Sequence, residues 1–317
     1  MRAWTCRTRA PACCAGWSTR RRRWCSNTRS CTGSWTAHGW AWRDAWVSGG
    51  RFHPEYVPGG VVSGRWATRG GGALQIPKVI RRAVVADPGW TFVVADAGQL
   101  EPRVLAAVSG DERLAAAGGA GDLYAALARD AFAGDRAKAK VALLGAMYGQ
   151  TGGAAVPALA VLRKNYPTAF GHVEAAARTG EAGGLVRSRL GRTCPPGSAG
   201  FAEGRSRCRT VGPIRTARRP GGAVTGALHP QLRHPGHRRR WASTLLATLR
   251  TELAGSEAEL VFFQHDEVMV HCPAGQAAAV ADAVTAAGAR ATRLLFGDTP
   301  VRFPLDPSSV DCYADAA

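Results

Sequence analysis

The segment TFVVADAGQLEPRVLAAVSGD, residues 91–111, decides how this chain folds. Its first part is a run of apolar and β-branched residues that follows the turn signal DPG at 87–89 and ends at Asp96, and it predicts a strand. Its second part changes to helical composition and stops at SGD, residues 109–111, which predicts a helix. The sequence therefore predicts a strand that ends on a carboxylate and continues directly into a helix.

A second carboxylate stands between two apolar runs nearer the C-terminus. LVFFQHDEVMVHCP, residues 260–273, places the polar triplet HDE between two β-rich runs and predicts a hairpin. Taken singly, Asp96 reads as an ordinary helix cap and Asp266 as an ordinary turn residue. Two strand-terminal carboxylates can also converge and hold two divalent ions about 3.5–4 Å apart, as in-line phosphoryl displacement requires. The pair indicates that reaction class.

Between the two carboxylates lies DRAKAKVALLGAMYGQ, residues 135–150, with Arg136, Lys140, Leu144 and Tyr148 spaced four apart. At about 100° per residue these side chains follow one stripe of a single helix. An amphipathic helix with solvated cations would show the same pattern, but cations near a helix N-terminus oppose the helix dipole. We expect Arg136 and Lys140 to hold a triphosphate. Its base would then stack towards Leu144 and Tyr148.

The net charge of +18 is concentrated in two segments. Residues 1–34 hold eight arginines and no acid, and residues 199–240 hold ten arginines and one glutamate. Both lack hydrophobic periodicity, and we expect neither to form a packed element. Because the rest of the chain is nearly neutral, the charge alone does not predict a nucleic-acid surface.

Composition also excludes several classes of protein. No apolar run is long enough to cross a membrane, and the N-terminus lacks the pattern of a secretory signal. The nine cysteines show no recurrent ligand spacing, so neither a zinc site nor a disulfide framework is expected. We expect a cytoplasmic protein, without membrane contact and monomeric.

Six segments, in order along the chain, resemble family A DNA polymerases of the DNA polymerase I type. ADAGQLEPRVLAAVSGD is similar to the first polymerase motif of that family, RAKAKVALLGAMYG to its fingers helix, and FFQHDEV to its last palm motif. VVSGRWATRGGGALQIP, RRAVVADPGW and GGLVRSRLGR match further segments. Six matches in register make coincidence improbable. The resemblance is to the C-terminal polymerase region of proteins such as the bifunctional 3′–5′ exonuclease/DNA polymerase.

The resemblance implies roles for the matching positions. Asp96 and Asp266 would hold two Mg²⁺ ions, and Lys140 would also donate a proton to the leaving pyrophosphate. The implied dNTP-binding residues are Arg136, Lys140, Tyr148, Gly149, Glu101, Gln99 and Leu144. The implied contacts to primer-template DNA are Arg65, Gln75, Arg103, His265 and Glu267.

This chain departs from the family pattern at several places. Leu144 stands where the fingers helix usually has an aromatic residue, and Ala97-Gly98 replaces the usual Tyr-Ser after the first metal aspartate. Tyr124 stands where a histidine often contacts the triphosphate. These differences bear on nucleotide affinity and sugar discrimination and leave the metal ligands in place.

The two basic segments stand where the family has helices. One choice of codons for PQLRHPGHRR, residues 230–239, reads RNFVIQATAA when begun one nucleotide later, which resembles the expected family helix. WCSNTRSCTGS, residues 24–34, reads VLEYKELYRL when begun two nucleotides later. We therefore interpret 1–34 and 199–240 as out-of-frame segments, with the family pattern resuming at Trp241.

The expected architecture is an α+β polymerase palm with an antiparallel sheet, an inserted helical fingers subdomain and an incomplete thumb. The palm would comprise 35–110 and 241–317, the fingers 111–198, and an irregular basic segment 199–240. The expected function is template-directed DNA synthesis. An inactive fragment with residual nucleic-acid binding is the first alternative. A two-metal nuclease or phosphotransferase is the second, disfavoured because it has no use for a triphosphate site.

Overall fold

The computed structural model describes residues 40–61, 64–69, 76, 78–119, 121–147, 155–181, 184–193 and 240–316. Helix α1 (Trp40–Trp46) leads into two short antiparallel hairpins, β1 (Val47–Ser48) with β2 (Arg51–Phe52) and β3 (Tyr56–Val57) with β4 (Ala67–Thr68). Helix α2 (Lys78–Arg81) precedes the long strand β5 (Trp90–Asp96). Strand β5 forms the first part of the segment on which the fold prediction rests.

Six helices follow β5 in the described chain: α3 (Leu100–Ser109), α4 (Glu112–Gly119), α5 (Leu123–Ala131), α6 (Arg136–Met147), α7 (Ala155–Asn165) and α8 (Pro167–Glu181). Residues 240–252 are helical and are called α9. The hairpin β6 (Glu259–Gln264) and β7 (Glu267–Pro273), the helix α10 (Ala277–Phe296) and the strand β8 (Ser308–Val310) complete the chain, with 3₁₀ turns at Ala274–Gln276 and Tyr313–Asp315.

One four-stranded antiparallel sheet gathers strands from both ends of the chain, in the order β6-β7-β5-β8. Strand β5 lies inside this sheet, with β7 on one side and β8 on the other. Its register places Asp96 opposite Glu267 and Trp90 opposite Pro273. The end of β5 and the turn of the β6–β7 hairpin therefore meet at one edge of the sheet.

The sheet is buried on both faces. Alternate residues such as Val93 and Val270 pack with the apolar faces of α9 and α10, and the intervening residues such as Phe92 and Met269 pack with Tyr313. This alternation follows from the two-residue period of a strand. The apolar face of α9 lies in the first of these cores and comprises Leu245, Leu246 and Leu249, and Leu253 just after the helix joins the same core.

The helices between β5 and the second part of the sheet pack around a core of their own, formed mainly by α3 to α8. The buried carboxylate of Asp111 forms hydrogen bonds with two of these helices. Asp111 accepts from the N–H of Leu114 in α4 at 3.0 Å and from the N–H of Ala169 in α8 at 2.9 Å. It thereby satisfies one early N–H group in each of two helices.

The predicted α+β architecture with an antiparallel sheet and inserted helices is confirmed. The strand-to-helix change after Asp96 and the hairpin around HDE both occur where the sequence predicted them. Residue 240, which the sequence assigned to the irregular segment, is already helical. The remaining proposed out-of-frame residues lie outside the described part of the chain. None of the described helices has the length and apolar character needed to span a membrane.

Candidate active site

The backbone places the two predicted metal-binding residues, Asp96 and Asp266, close together at the edge of the sheet. Asp96 is the last residue of β5 and faces Glu267, which directly follows Asp266 in the chain. Beyond the end of the strand, the N–H of Ala97 donates to the carbonyl oxygen of Asp266 at 3.3 Å. Asp96 is exposed and Asp266 is half-buried. Both residues are therefore accessible to an ion that arrives with a substrate. The antiparallel register thus brings together residues 170 positions apart in the sequence.

The turn before Asp266 is held by a contact between two predicted DNA-binding residues. His265 has a φ of 61°, in the left-handed region, and its Nε2 lies 2.6 Å from Nη2 of Arg65. Because a guanidinium can only donate, Nε2 must accept, and the neutral ring then carries its proton on Nδ1. Among the described residues, no group pairs with that buried Nδ1. The structure brings Arg65 and His265 together beside Asp266.

Glu267 faces the protein interior, although it was predicted to contact DNA. Burial raises the pKa of Glu267, while a hydrogen bond with Tyr313 and the charge of Arg81 act in the opposite direction. The Arg81 guanidinium lies 4.3 Å from the centre of the Tyr313 ring. Glu267 therefore belongs to a cluster with Tyr313 and Arg81. We reassign Glu267 from a DNA contact to a positioning residue.

Gln99 joins the loop after Asp96 to the helical part. It stands directly before α3 with a φ of 56°. Both the nitrogen and the oxygen of its side-chain amide form hydrogen bonds. Its Nε2 donates to Asp122 Oδ1 at 2.8 Å, and its Oε1 accepts from the N–H of Leu123 at 2.7 Å. Gln99 was predicted to bind nucleotide, but these bonds give it a positioning role.

Asp122 connects this loop to the cations of α6. Its carboxylate caps α5 by accepting from the N–H of Ala125 at 3.0 Å, and it receives Arg136 Nε at 2.7 Å. Burial raises the pKa of Asp122, but the bonds from Arg136, Ala125 and Gln99 outweigh burial and hold that pKa below its ordinary value. The carboxylate is therefore ionised at neutral pH and fixes the position of Arg136.

Tyr124 brings the two predicted phosphate-binding cations to one place. The ring is buried, with Arg136 Cζ 5.7 Å and Lys140 Nζ 5.8 Å from its centre. Both cations are exposed on the same stripe of α6, where the four-residue spacing predicted them. Tyr124 thus supports both side chains on an aromatic surface and leaves their charges accessible.

The apolar half of that stripe continues towards the end of α6. Leu144, the next residue of the stripe after Lys140, is half-buried, and Val141 beside the stripe is 70% exposed. Glu101 is half-buried in the first turn of α3. The predicted site residues Tyr148, Gly149 and Gln75 lie outside the described residues.

Arg103 is the clearest departure from the predicted site. Its side chain is 3% exposed, and its guanidinium donates to the carbonyls of Gly98, Gly118, Gly121 and Arg302 at 2.6–3.0 Å. Burial lowers the pKa of Arg103, and the charges of Asp122 and Asp306 oppose that effect. A guanidinium engaged in this way cannot reach DNA, so we replace the predicted DNA contact by a positioning role.

The carboxylates present suit Mg²⁺. Among the described residues, no cluster of three or more His, Cys, Asp or Glu side chains could hold a metal ion. Mg²⁺ does not need such a cluster, because it keeps several waters and binds through one or two carboxylates together with substrate phosphates. Asp96 and Asp266 supply that donor set from an accessible edge of the sheet.

Sequence reasoning missed Asp122, the residue that links the two halves of the site. An aspartate directly before an apolar helical run is the usual signal of a helix cap, and that signal was present in GDLYAALA. Its contact with Arg136 depends on how α5 and α6 pack, and a local pattern does not contain that information. Tyr124 was noticed only as a departure from the family pattern.

Comparisons with known proteins find similar sequences among DNA polymerases. The family described as "DNA polymerase family A" matches residues 45–165. DNA polymerase I of Chloroflexus aurantiacus is 41% identical over 115 residues, which cover 32% of this chain and 12% of that protein. The thermostable DNA polymerase I of Thermus thermophilus is 41% identical over 71 residues, 20% of this chain and 8% of that protein. The chain thus spans at most 12% of these two relatives.

A solved structure extends the likeness over most of the fold. The polymerase domain of Pol1 from M. smegmatis, in complex with DNA primer-template and dNTP, matches with a TM-score of 0.71 and 17% identity. The match covers 91% of this chain and 55% of that structure. At this identity the match establishes the fold. By sequence over residues 45–165, the chain is similar to DNA polymerase family A.

Proposed function

We propose that this chain carries out template-directed DNA synthesis, adding dNMP from a dNTP to a primer 3′-hydroxyl. The observation that carries the proposal is the hydrogen-bonded connection from the loop after Asp96 through Gln99 and Asp122 to Arg136. It joins a pair of carboxylates suited to Mg²⁺ to a pair of cations suited to a triphosphate. Neither group alone would distinguish a polymerase from other phosphate-binding proteins.

In this proposal the sheet is the palm and the helices α4 to α8 are the fingers. Asp96 and Asp266 would hold two Mg²⁺ ions, which when bound activate the 3′-hydroxyl and neutralise charge on the departing pyrophosphate. Arg136 and Lys140 grip the triphosphate, and Lys140 donates the proton that the pyrophosphate needs as it leaves. A cytoplasmic location and a monomeric state stay predictions.

The other proposed roles surround this centre. Glu101 crowds the sugar and favours deoxynucleotides, while Leu144, Tyr148 and Gly149 border the nascent base pair. Arg65, Gln75 and His265 contact primer-template DNA. The contact between Arg65 and His265 supports this role, because it holds both side chains beside the turn that carries Asp266.

Lys140 provides a direct test of the proposed function. Replacing it by methionine should slow primer extension by about 100-fold or more, since it removes a phosphate contact and a general acid. Lys138→Met is the matched control, because Lys138 is exposed on the same helix but lies off the stripe of Arg136 and Lys140. Extension of a labelled primer with Mg²⁺ and dNTPs measures both variants. Equal losses in the two would contradict the assignment.

The same assay separates the alternatives. An inactive fragment would bind primer-template DNA in a salt-sensitive manner and would not extend the primer. A two-metal nuclease would release mononucleotides in the absence of dNTPs. Extension that requires both Mg²⁺ and dNTPs is the result that the proposed function predicts.

A further inference from the structure

The turn that carries Asp266 is strained and follows a strand at the open edge of the sheet. His265 has a φ of 61°, in the left-handed region that residues with a side chain rarely enter, and the N–H of Asp266 donates to the carbonyl of Gln264 at 2.8 Å. Strand β6, which leads into this turn, is the outermost strand on its side of the four-stranded sheet. A strained turn keeps one geometry only when its surroundings hold it there.

Tyr56 takes the place that a neighbouring strand would have beside β6. Its hydroxyl donates to the carbonyl oxygen of Phe263 at 2.8 Å and accepts from the N–H of the same residue at 3.2 Å. One side chain thus satisfies both main-chain groups of Phe263 at the open edge. Burial raises the pKa of Tyr56, although the hydrogen bond to Phe263 acts in the opposite direction, so the hydroxyl keeps its proton at neutral pH.

The β3–β4 hairpin, which carries Tyr56, contacts the β6–β7 hairpin at two further points. Trp66 packs edge-on against both Tyr56 and Phe263, with ring centres 5.8 Å apart in each pair. Its neighbour Arg65 has Nη2 2.6 Å from Nε2 of His265. The contacts of this hairpin therefore run from the end of β6, at Phe263, into the turn at His265.

We propose that Tyr56 is a positioning residue of the candidate active site, whose hydroxyl fixes the turn that presents Asp266 by binding the main chain of Phe263. This assignment rests on the proposed polymerase function. Holding the end of β6 keeps Asp266 beside the end of β5, where its carbonyl oxygen accepts from the N–H of Ala97. The cations assigned to the triphosphate lie on α6, in the helical part, and do not depend on this hydroxyl.

The first test is amide hydrogen exchange of the full chain, resolved to single residues. Tyr56→Phe removes the hydroxyl and keeps the ring, so exchange should become about three- to tenfold faster at Phe263 and Asp266 as the strand end and turn loosen. Tyr166→Phe is the matched control, because Tyr166 is also buried and its hydroxyl donates to Asp130 at 3.2 Å in the helical part. It should leave both amides unchanged. Equal exchange at Asp266 in the two variants would overturn the proposal.

Incorporation kinetics separate positioning from a general loss of stability. In Tyr56→Phe the rate of single-nucleotide incorporation should fall about tenfold, the KM for dNTP should stay within about twofold, and the Mg²⁺ concentration for half-maximal rate should rise about threefold or more. A fold that is only less stable would lose active protein without a changed Mg²⁺ requirement. Faster exchange with the rate and Mg²⁺ requirement of the wild type would contradict the positioning role. Faster exchange at Asp266 in a chain that fails to extend primers supports the hold on the turn and counts against the polymerase activity alone.

Discussion

Asp122 decides the charge and geometry at the centre of the candidate site. Its carboxylate binds the side chain of Gln99, the N–H of Ala125 and the guanidinium of Arg136. The ion pair with Arg136 is half exposed, at 38% and 51% of the two side chains, so its contribution to stability is below about 1 kcal/mol. In the proposed function this ion pair has a larger consequence, because a fixed anion would compete with a triphosphate for Arg136.

Asp122→Asn should strengthen dNTP binding. Asparagine keeps the cap on α5 but removes the negative charge beside Arg136, so the KM for dNTP should fall about two- to tenfold. Steady-state incorporation measures the change, and thermal unfolding should show stability within about 1 kcal/mol of the wild type. Asp130→Asn, in the same helix, is the control for KM. A higher KM in Asp122→Asn would mean that the carboxylate positions Arg136 more than it competes for it.

The sequence predicted most of the charged residues that the structure brings together at the candidate site. The spacing of Arg136 and Lys140 and the strand-terminal positions of Asp96 and Asp266 were visible locally, because helix and strand periods place side chains on predictable faces. The roles of Arg103 and Gln99 were not visible. Their partners are carbonyls, N–H groups and a carboxylate brought near by packing between helices.

At the scale of elements, a single buried carboxylate fixes how α4 and α8 meet. Asp111 is 4% exposed and accepts one N–H from each helix. A buried N–H without an acceptor costs the desolvation free energy of that group. Both helices belong to the core that supports α6, the helix of Arg136 and Lys140.

Asp111→Ala should lower the free energy of unfolding by about 2–4 kcal/mol, since it leaves two buried N–H groups unpaired. Asp135→Ala is a matched control. Asp135 also accepts a helical N–H, that of Lys138 at 2.9 Å, but it is exposed, so its loss should cost about 1 kcal/mol or less. Urea unfolding followed by circular dichroism measures both variants. Similar losses would indicate that the second bond, to Ala169, contributes nothing.

Elements with strong local patterns were predicted well, and their arrangement was not. Strand β5 and the β6–β7 hairpin follow from composition and periodicity. The position of β5 between β7 and β8 depends on pairings between residues more than 170 positions apart. Such register is set by the fold as a whole, and the family resemblance supplied the expectation of a single antiparallel sheet.

At the scale of the whole molecule, Arg103 joins parts of the chain that are distant in sequence. Its guanidinium binds the loop after β5, the end of α4, the turn before α5 and the carbonyl of Arg302 near the C-terminus. The sheet and the helical part are thereby fixed relative to each other. The candidate site depends on this arrangement, because its carboxylates lie on the first and its cations on the second.

Arg103→Met should lower the free energy of unfolding by about 3 kcal/mol or more, since four carbonyls lose a charged donor. Arg113→Met, at an exposed position of α4, removes the same charge and should change stability by about 0.5 kcal/mol or less. Urea unfolding measures both variants. Primer-template affinity at a temperature where Arg103→Met is folded should stay close to that of the wild type. A DNA-binding defect without loss of stability would restore the DNA contact first predicted.

The central claim is that Asp96 and Asp266 together support metal-dependent nucleotide incorporation, and single-turnover incorporation of one dNTP with Mg²⁺ tests it most directly. Asp96→Asn and Asp266→Asn should each reduce the rate about 1,000-fold or more, while primer-template affinity stays the same or rises. Asp282→Asn, at an exposed position of α10, should react at the wild-type rate. Incorporation by Asp96→Asn or Asp266→Asn at the rate of Asp282→Asn would contradict the account.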